Sequence, residues 1–258
     1  MPKFAANLAF LFAELPYLDR FSAAAEAGFE AVEVPYPYEF AAKDTERALL
    51  THGLDLVLIN APPPNYTGGE PGYAAIPAMV ERFQRDVRRV LRYSEVLNAK
   101  NIHLMAGVVE GPEAREVFVK NLQWAADFAP YQQFTIEPIS PGEVPGYFLN
   151  DYALAAEVLE EVSRKNVGLQ FDTHSATQIH GDLMQAWNAY GDRACHIQVS
   201  SGAKRSQPLP GSEEMLEFLT AVDGVGYKGW VSAEYTPTTA QTEDSLAWMQ
   251  TPELAQAV

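Results

Sequence analysis

Four apolar runs in the second half of the chain each end in an oxygen-bearing side chain: Phe134-Thr-Ile-Glu137, Gly168-Leu-Gln-Phe-Asp172, Ala194-Cys-His-Ile-Gln198 and Trp230-Val-Ser-Ala-Glu234. Successive end residues lie 35, 26 and 36 positions apart, about one strand-plus-helix unit each time. If the runs are adjacent parallel strands, the four groups meet at one rim. Three carboxylates and an amide are hard oxygen donors, suited to Mg2+ or Mn2+. Pro138 supports this placement by keeping Glu137 extended. Polar residues end strands routinely, so any one of the four has an ordinary structural explanation. Four in consecutive units do not, because three crowded carboxylates repel unless a cation holds them ionised. The expected metal ligands are therefore Glu137, Asp172, Gln198 and Glu234. A cation beside two glutamates suits proton transfer next to a carbonyl, with Glu137 and Glu234 as the acid/base pair in an order the sequence leaves open.

To gather those residues, the strands must sit side by side. Eight candidate strands run through the chain: Phe4–Leu8, Ala31–Val34, Leu54–Asn60, Asn101–Met105, Phe134–Glu137, Gly168–Asp172, Ala194–Val199 and Trp230–Glu234. Between them lie helical stretches with apolar residues three or four apart: Val80, Phe83, Val87, Val90 and Ser94; Leu154, Val158 and Val162; Met215, Phe218, Leu219 and Val222. Strict alternation implies parallel strands with right-handed crossovers. Eight units in 258 residues favour closure into a single (β/α)8 TIM barrel spanning residues 1–258. The irregular connections Ala61–Ile76 and Ser200–Ser212 both follow strands, on the face where such barrels carry their chemistry.

Composition narrows the classes. Hydrophobic residues make up 47% of the chain, enough for a substantial core, and no run approaches the roughly 20 apolar residues of a membrane span. Met1–Phe12 lacks a signal-peptide pattern, so a cytoplasmic location is expected. The net charge of −16 disfavours nucleic acid. It also means that an anionic substrate needs local positive charge from a metal or an arginine. The single cysteine, Cys195, excludes an intrachain disulfide and reads as a buried, inert thiol. Homo-oligomer formation is left open. Gly224-Val-Gly226-Tyr-Lys-Gly229 fits a dinucleotide fingerprint, but a helix precedes it and a strand follows, so it reads as a helix stop and turn. Arg82, Arg85, Arg88, Arg89 and Arg92 alternate with an apolar stripe and read as a solvated helix face. Asn65-Tyr-Thr67 fits a glycosylation acceptor without any sign of secretion.

The chain resembles the hydroxypyruvate isomerase family of xylose-isomerase-like barrels, and especially its 2-oxo-tetronate isomerase branch. The segments that carry the likeness are Phe4-Ala-Ala-Asn7-Leu8, Arg20-Phe, Ala27-Gly-Phe-Glu-Ala-Val-Glu33, His103-Leu-Met-Ala-Gly107-Val-Val, Ile136-Glu-Pro-Ile-Ser-Pro-Gly142 and Gly226-Tyr-Lys-Gly-Trp230, leading to Glu234-Tyr235. It covers almost the whole chain. The resemblance implies a metal site of Glu137, Asp172, Gln198 and Glu234, with both glutamates exchanging protons. It also implies interconversion of the 2-oxo and 3-oxo (or aldehyde) forms of a short hydroxy acid. The sequence departs from the family at Ser175 and Thr177, where relatives carry His and Gln, with His174 one place early. Further departures are Ser201, Arg205-Ser-Gln207-Pro208, Gly211-Ser212 and Gly69-Glu70-Pro71-Gly72.

Arg205 keeps the pattern and is the candidate grip on a substrate carboxylate, because a guanidinium binds one bidentately. His174 is the second substrate-binding candidate, although alternation along a strand would turn it away. His103 reads as a hydrogen-bonded interior histidine and His52 as a helix-end residue. Glu33 and Asn60 end earlier strands and are held as lining residues. Three readings compete with the isomerase: a ketose 3-epimerase on a neutral sugar, a non-catalytic sugar-acid-binding relative, and, more weakly, an endonuclease-type phosphodiesterase. The last would want a histidine cluster and a basic face.

Overall fold

A barrel mouth needs strands of alternating character: one side chain to the surrounding helices, the next to the lumen. The last four strands have that character. Phe134 and Ile136, Leu169 and Phe171, Ile197 and Val199, and Val231 and Ala233 all join the apolar layer under the helices. The positions between and after them are Thr135 and Glu137, Gln170 and Asp172, His196 and Gln198, and Ser232 and Glu234.

The computed structural model describes residues 2–61 and 71–250. Its strands are β1 (Lys3–Asn7), β2 (Ala31–Glu33), β3 (Asp55–Asn60), β4 (Asn101–His103), β5 (Gln133–Ile136), β6 (Val167–Asp172), β7 (Ala194–Val199) and β8 (Trp230–Ala233). All pairings are parallel, and the strands close a barrel in chain order. Single helices α1 (Asp19–Glu26), α2 (Ala42–His52), α3 (Val80–Leu97), α4 (Pro112–Phe128) and α5 (Tyr152–Val162) link the first six strands. Two short helices, α6 (Thr173–His180) and α7 (Leu183–Tyr190), separate β6 from β7, and α8 (Glu213–Gly224) separates β7 from β8. Cross-strand register places Gln170 opposite His196, Asp172 opposite Gln198, and Gln198 opposite Ser232. The polar positions therefore form rows across the barrel.

The expected strands differ from these only at their ends. β4 stops at His103 instead of Met105, because the chain then turns to pair Ala106 with Gly72 in an isolated bridge. The backbones meet so closely that a Cβ on Gly107 would sit 2.6 Å from the Gly72 carbonyl oxygen. Glu137 and Glu234 lie one residue beyond β5 and β8. The stripe of α3 divides as expected: Phe83, Val87, Val90, Leu91, Ser94 and Leu97 are buried, while Arg85, Arg88 and Arg92 are exposed. Arg88 nonetheless lies 4.9 Å over the Trp124 ring, so this face is packed as well as solvated. His52 ends α2, and Gly53 behind it adopts the left-handed conformation. Gly224 ends α8 and Gly226 turns into β8 with a φ of 72°, so the glycine-rich segment is the expected stop and turn. Cys195 packs against Gly168, and burial pushes its thiol up to about 12, which keeps it protonated and unreactive. Among the described residues no helix is long and apolar enough to cross a membrane. Asn65 to Thr67, and Gly69 with Glu70, lie outside the described residues.

Candidate active site

Asp172 is fixed twice before it does any chemistry. It closes β6 and caps α6, its Oδ1 accepting the His174 backbone N–H at 2.9 Å, while the Tyr152 hydroxyl donates to its carbonyl at 3.0 Å. With one oxygen held by the helix N-terminus, the other must face the barrel mouth. There Oδ2 lies 2.7 Å from Nη2 of Arg205. The contact is close but poorly aligned, and Oδ2 makes no hydrogen bond.

The neighbouring donors are held by a buried amide network. Gln170 donates through Nε2 to Glu137 Oε2 at 3.0 Å and to Gln198 Oε1 at 2.8 Å, and receives the Thr135 hydroxyl at 2.8 Å. Gln198 in turn donates to Glu33 Oε1 at 2.6 Å. Asn7 bridges Glu33 (2.9 Å) and Glu234 (3.0 Å), and His196 Nε2 lies 2.9 Å from Glu33 Oε2. Burial, with Asp172 and Glu234 adding repulsion, pushes the Glu137 carboxyl well above the usual range. Burial also raises Glu234, opposed by Arg205 and reinforced by Glu33 and Asp172.

Arg205 enters from the turn between Ser201 and Ser206, with its own φ at 49°, a conformation that side chains other than glycine rarely adopt. Its Nη1 donates to Glu234 Oε2 at 2.8 Å, and Nη2 is 3.6 Å from Glu143 Oε1. His174 Nε2 sits 3.1 Å from the same Glu143 oxygen, and its Nδ1 lies 3.2 Å from the Gly202 carbonyl. These partners hold the Glu143 carboxyl below the usual range: the His174 contact first, against burial, with Arg205 adding. The groups border a cavity of about 280 Å³. Glu33, Asn60, His103, Glu137, Glu143, Gln170, Gln198, Arg205 and Glu234 form its polar part, and Phe10, Pro35, Met105, Ile139 and Val144 its apolar rim.

Glu137, Asp172, Gln198, Glu234 and Arg205 thus come together as the sequence placed them, whereas His174 stands one layer back, behind Glu143. His174 does not follow strand alternation, because β6 ends at Asp172 and the chain is already helical. His103 is interior, as expected, but not hydrogen-bonded: Nε2 has no partner and Nδ1 is 3.8 Å from Glu137. Burial, then His196, depresses it to about 3, so the imidazole is neutral. Glu143, Gln170, His196 and Asn7 were missed. Gln170 and His196 could have been found by stepping two residues back from Asp172 and Gln198. Glu143 follows directly on the motif that ends at Gly142. The departures are absorbed locally. Thr177 bonds the Thr173 carbonyl, Ser212 caps α8, and Ser175 is buried with its hydroxyl unpartnered.

The donor types, three carboxylates and one amide, suit a divalent ion, and two of the carboxylates, Asp172 and Glu234, already face a positive charge. In the present arrangement that charge is the guanidinium, and among the described residues no three His, Cys, Asp or Glu side chains stand close enough to hold a metal.

Residues 21–251 match the model of the xylose isomerase-like TIM barrel family. The chain belongs to that family. Over 256 residues it is 38% identical to a 2-oxo-tetronate isomerase of Pectobacterium atrosepticum, with 97% of each chain covered. The hydroxypyruvate isomerase of Escherichia coli is 31% identical over 96% of this chain and 98% of that one. A crystal structure described as an AP endonuclease, family 2, from Brucella melitensis superposes with a TM-score of 0.92 at 37% identity, covering 97% of this chain and 98% of that one. This member of the family is an isomerase.

Proposed function

We propose that the protein interconverts the 2-oxo and 3-oxo (or aldehyde) forms of a short hydroxy acid of the hydroxypyruvate or 2-oxo-tetronate class. The observation that carries this reading is the meeting of Glu137, Asp172, Gln198 and Glu234 with one arginine at a cavity of small-molecule size. Those four residues would hold Mg2+ or Mn2+. Bound there, the ion would polarise the carbonyl oxygen and the neighbouring hydroxyl oxygen of the substrate.

The chain's own residues do the rest. One of Glu137 and Glu234 takes the proton from the hydroxyl-bearing carbon, and the C–H electron pair becomes the double bond of an enediolate. The other returns a proton to the former carbonyl carbon, while the hydroxyl proton passes to the former carbonyl oxygen, which leaves the carbonyl shifted by one position. Burial pushes both carboxyls up from their ordinary range, which suits the one that delivers a proton, whereas the one that takes it must be ionised when the substrate arrives. The apolar rim excludes water from the exchanging proton, and Asn7 and Gln170 fix the two carboxyls in direction. Arg205 supplies the positive charge that an acid substrate needs in a chain of net charge −16. A neutral ketose has no such need. A phosphodiester would meet one arginine among several carboxylates, which argues against the endonuclease reading.

Purified protein with Mn2+ and hydroxypyruvate or a 2-oxo-tetronate in deuterated water should incorporate deuterium beside the carbonyl. Glu137→Gln and Glu234→Gln should each abolish incorporation while the barrel stays folded. Wild-type exchange in either variant removes that glutamate from the mechanism. Binding without exchange in the wild type would favour the non-catalytic reading.

A further inference from the structure

Arg205 cannot do both things asked of it in the arrangement seen. Its Nη1 is on Glu234 at 2.8 Å and its Nη2 on Asp172 at 2.7 Å. Both arms of the fork are spent on the donor set, at the place where a divalent ion would have to sit, and neither is turned to a substrate carboxylate. We propose that Arg205 is a resident counter-ion that the divalent ion displaces, and that displacement frees its fork for the substrate's carboxylate. Metal and acid then bind in that order, each tightening the other. This rests on the metal reading above.

Three features of the chain make such an exchange physically reasonable. The Asp172 contact is short but off-axis, and Oδ2 is left without a hydrogen bond, so this carboxylate oxygen is not committed to the guanidinium as its partner is to the helix cap. The Arg205 backbone is anchored independently of its side chain. The Thr236 N–H donates to the Arg205 carbonyl at 2.8 Å, and the Arg205 N–H donates to that of Gly202 at 3.3 Å. The side chain can therefore leave without unfolding the turn, and its left-handed φ of 49° is the kind of strain that persists where position matters. Finally, Glu143 waits 3.6 Å from Nη2, steadied by His174 at 3.1 Å. It offers the displaced guanidinium a second carboxylate nearer the cavity rim. Reciprocity of linked equilibria does the remainder: if the ion releases the arginine for the acid, bound acid must favour the ion equally.

The test uses full-length protein stripped of metal with a chelator. Calorimetric titration with Mn2+ should give binding about tenfold or more tighter in Arg205→Gln than in wild type, since two charge-assisted contacts no longer have to be broken. Arg205→Lys should fall between them. Glu143→Gln should bind Mn2+ more weakly than wild type, because the displaced arginine loses its second partner. In wild type itself, side-chain ¹⁵N NMR should show an Arg205 guanidinium with slow proton exchange that speeds up on adding Mg2+. Glycolate should bind the Mg2+-loaded protein better than glycolamide does, and that preference should vanish in Arg205→Gln. Equal Mn2+ affinity in wild type and Arg205→Gln, or an Arg205 signal that ignores Mg2+, overturns the inference and leaves the metal reading standing. Failure of every variant and the wild type to bind Mn2+ removes the metal reading and this inference with it. If Arg205→Gln does not fold, the wild-type NMR result decides alone.

Discussion

Replacing Glu33 should separate the network that aims the site from the groups that act in it. Glu33 is 1% exposed and takes contacts from Gln198 at 2.6 Å, Asn7 at 2.9 Å and His196 at 2.9 Å. Glu33→Leu keeps roughly the same length but accepts nothing. Gln198 Nε2 and His196 Nε2 lose the partner shown for them, and Asn7 keeps only Glu234. At about 1–3 kcal/mol for each of the two orphaned buried donors, the loss is about 2–6 kcal/mol. Glu33→Gln is milder. Its carbonyl oxygen can still accept from Asn7 and Gln198, and its amide can donate to His196 once that ring carries its proton on Nδ1, for a cost of about 1–2 kcal/mol. The functional consequence follows the same order. Without Glu33, nothing fixes which end of the Gln198 amide faces the donor set, and Glu234 loses a rigid neighbour. A misplacement of this kind lowers turnover by about a hundredfold, and kcat should fall more than KM rises. Urea unfolding of the three proteins, read beside deuterium exchange into product, measures both effects. A Glu33→Leu protein as stable as wild type, or indistinguishable from Glu33→Gln, would refute the claim that Glu33 is the node of the network.

Gly168→Ala should cost about 1–3 kcal/mol, because its new methyl would lie 2.6 Å from Cys195 Sγ. Adding Cys195→Ala should recover much of this in thermal unfolding, whereas strictly additive losses would place the strain elsewhere. His103 should make the protein less stable in acid. Its pKa is depressed from 6.5 to about 3, so the unfolded chain takes up a proton that the folded one refuses. Its contribution is complete above pH 6.5 and is lost as pH falls toward 3, on the order of 3 kcal/mol between pH 6.5 and 4. His103→Gln should flatten that part of the stability profile, and an unchanged slope would contradict the assignment. Asp172→Asn should keep the helix cap while losing the charge that faces Arg205, and Asp172→Ala should cost about 1 kcal/mol more in urea unfolding because the cap goes too. Both should lose Mn2+ affinity in calorimetry, and Mn2+ binding unchanged in Asp172→Asn would exclude this carboxylate as a ligand.

The barrel was legible because its signal is repetitive. Eight apolar runs separated by 3.6-period stretches leave few other architectures, and the last four runs each end in an oxygen-bearing side chain one strand-plus-helix unit from the next. Glu137, Asp172, Gln198 and Glu234 were visible for the same reason. What escaped was the layer beneath and beside them. Gln170 and His196 face the lumen on the same strands, but a polar residue inside an apolar run looks like an ordinary strand interruption until its partners are known. Glu143 sits in a loop, where no period applies. His174 was misjudged because the transition from β6 to α6 takes place within Asp172 itself, and no local pattern distinguishes a strand-end aspartate from a helix cap that also ends a strand. Arg205 was legible as a candidate, but the direction of its side chain was not. That direction depends on a six-residue turn, Ser201 to Ser206, in which Arg205 as well as Gly202 adopts the left-handed conformation.

The electrostatics of the site tie these pieces together. A chain of net charge −16 that also places Glu33, Glu137, Glu143, Asp172 and Glu234 around one cavity is poorly disposed to receive another carboxylate. Burial pushes the Glu137 and Glu234 carboxyls up from their ordinary range, and donors from Asn7, Gln198 and His196 spread part of the charge over dipoles. Neither measure attracts an anion. Attraction needs a mobile positive charge that the cluster does not already consume, and Arg205 is consumed as it stands. On the proposal above, a divalent ion entering the donor set would change this sum by two charges and release the arginine at the same time. An acid substrate therefore meets a favourable field only when both are present. A neutral sugar would gain nothing from the exchange, which is why the placement of Arg205 bears on substrate class as well as on binding order.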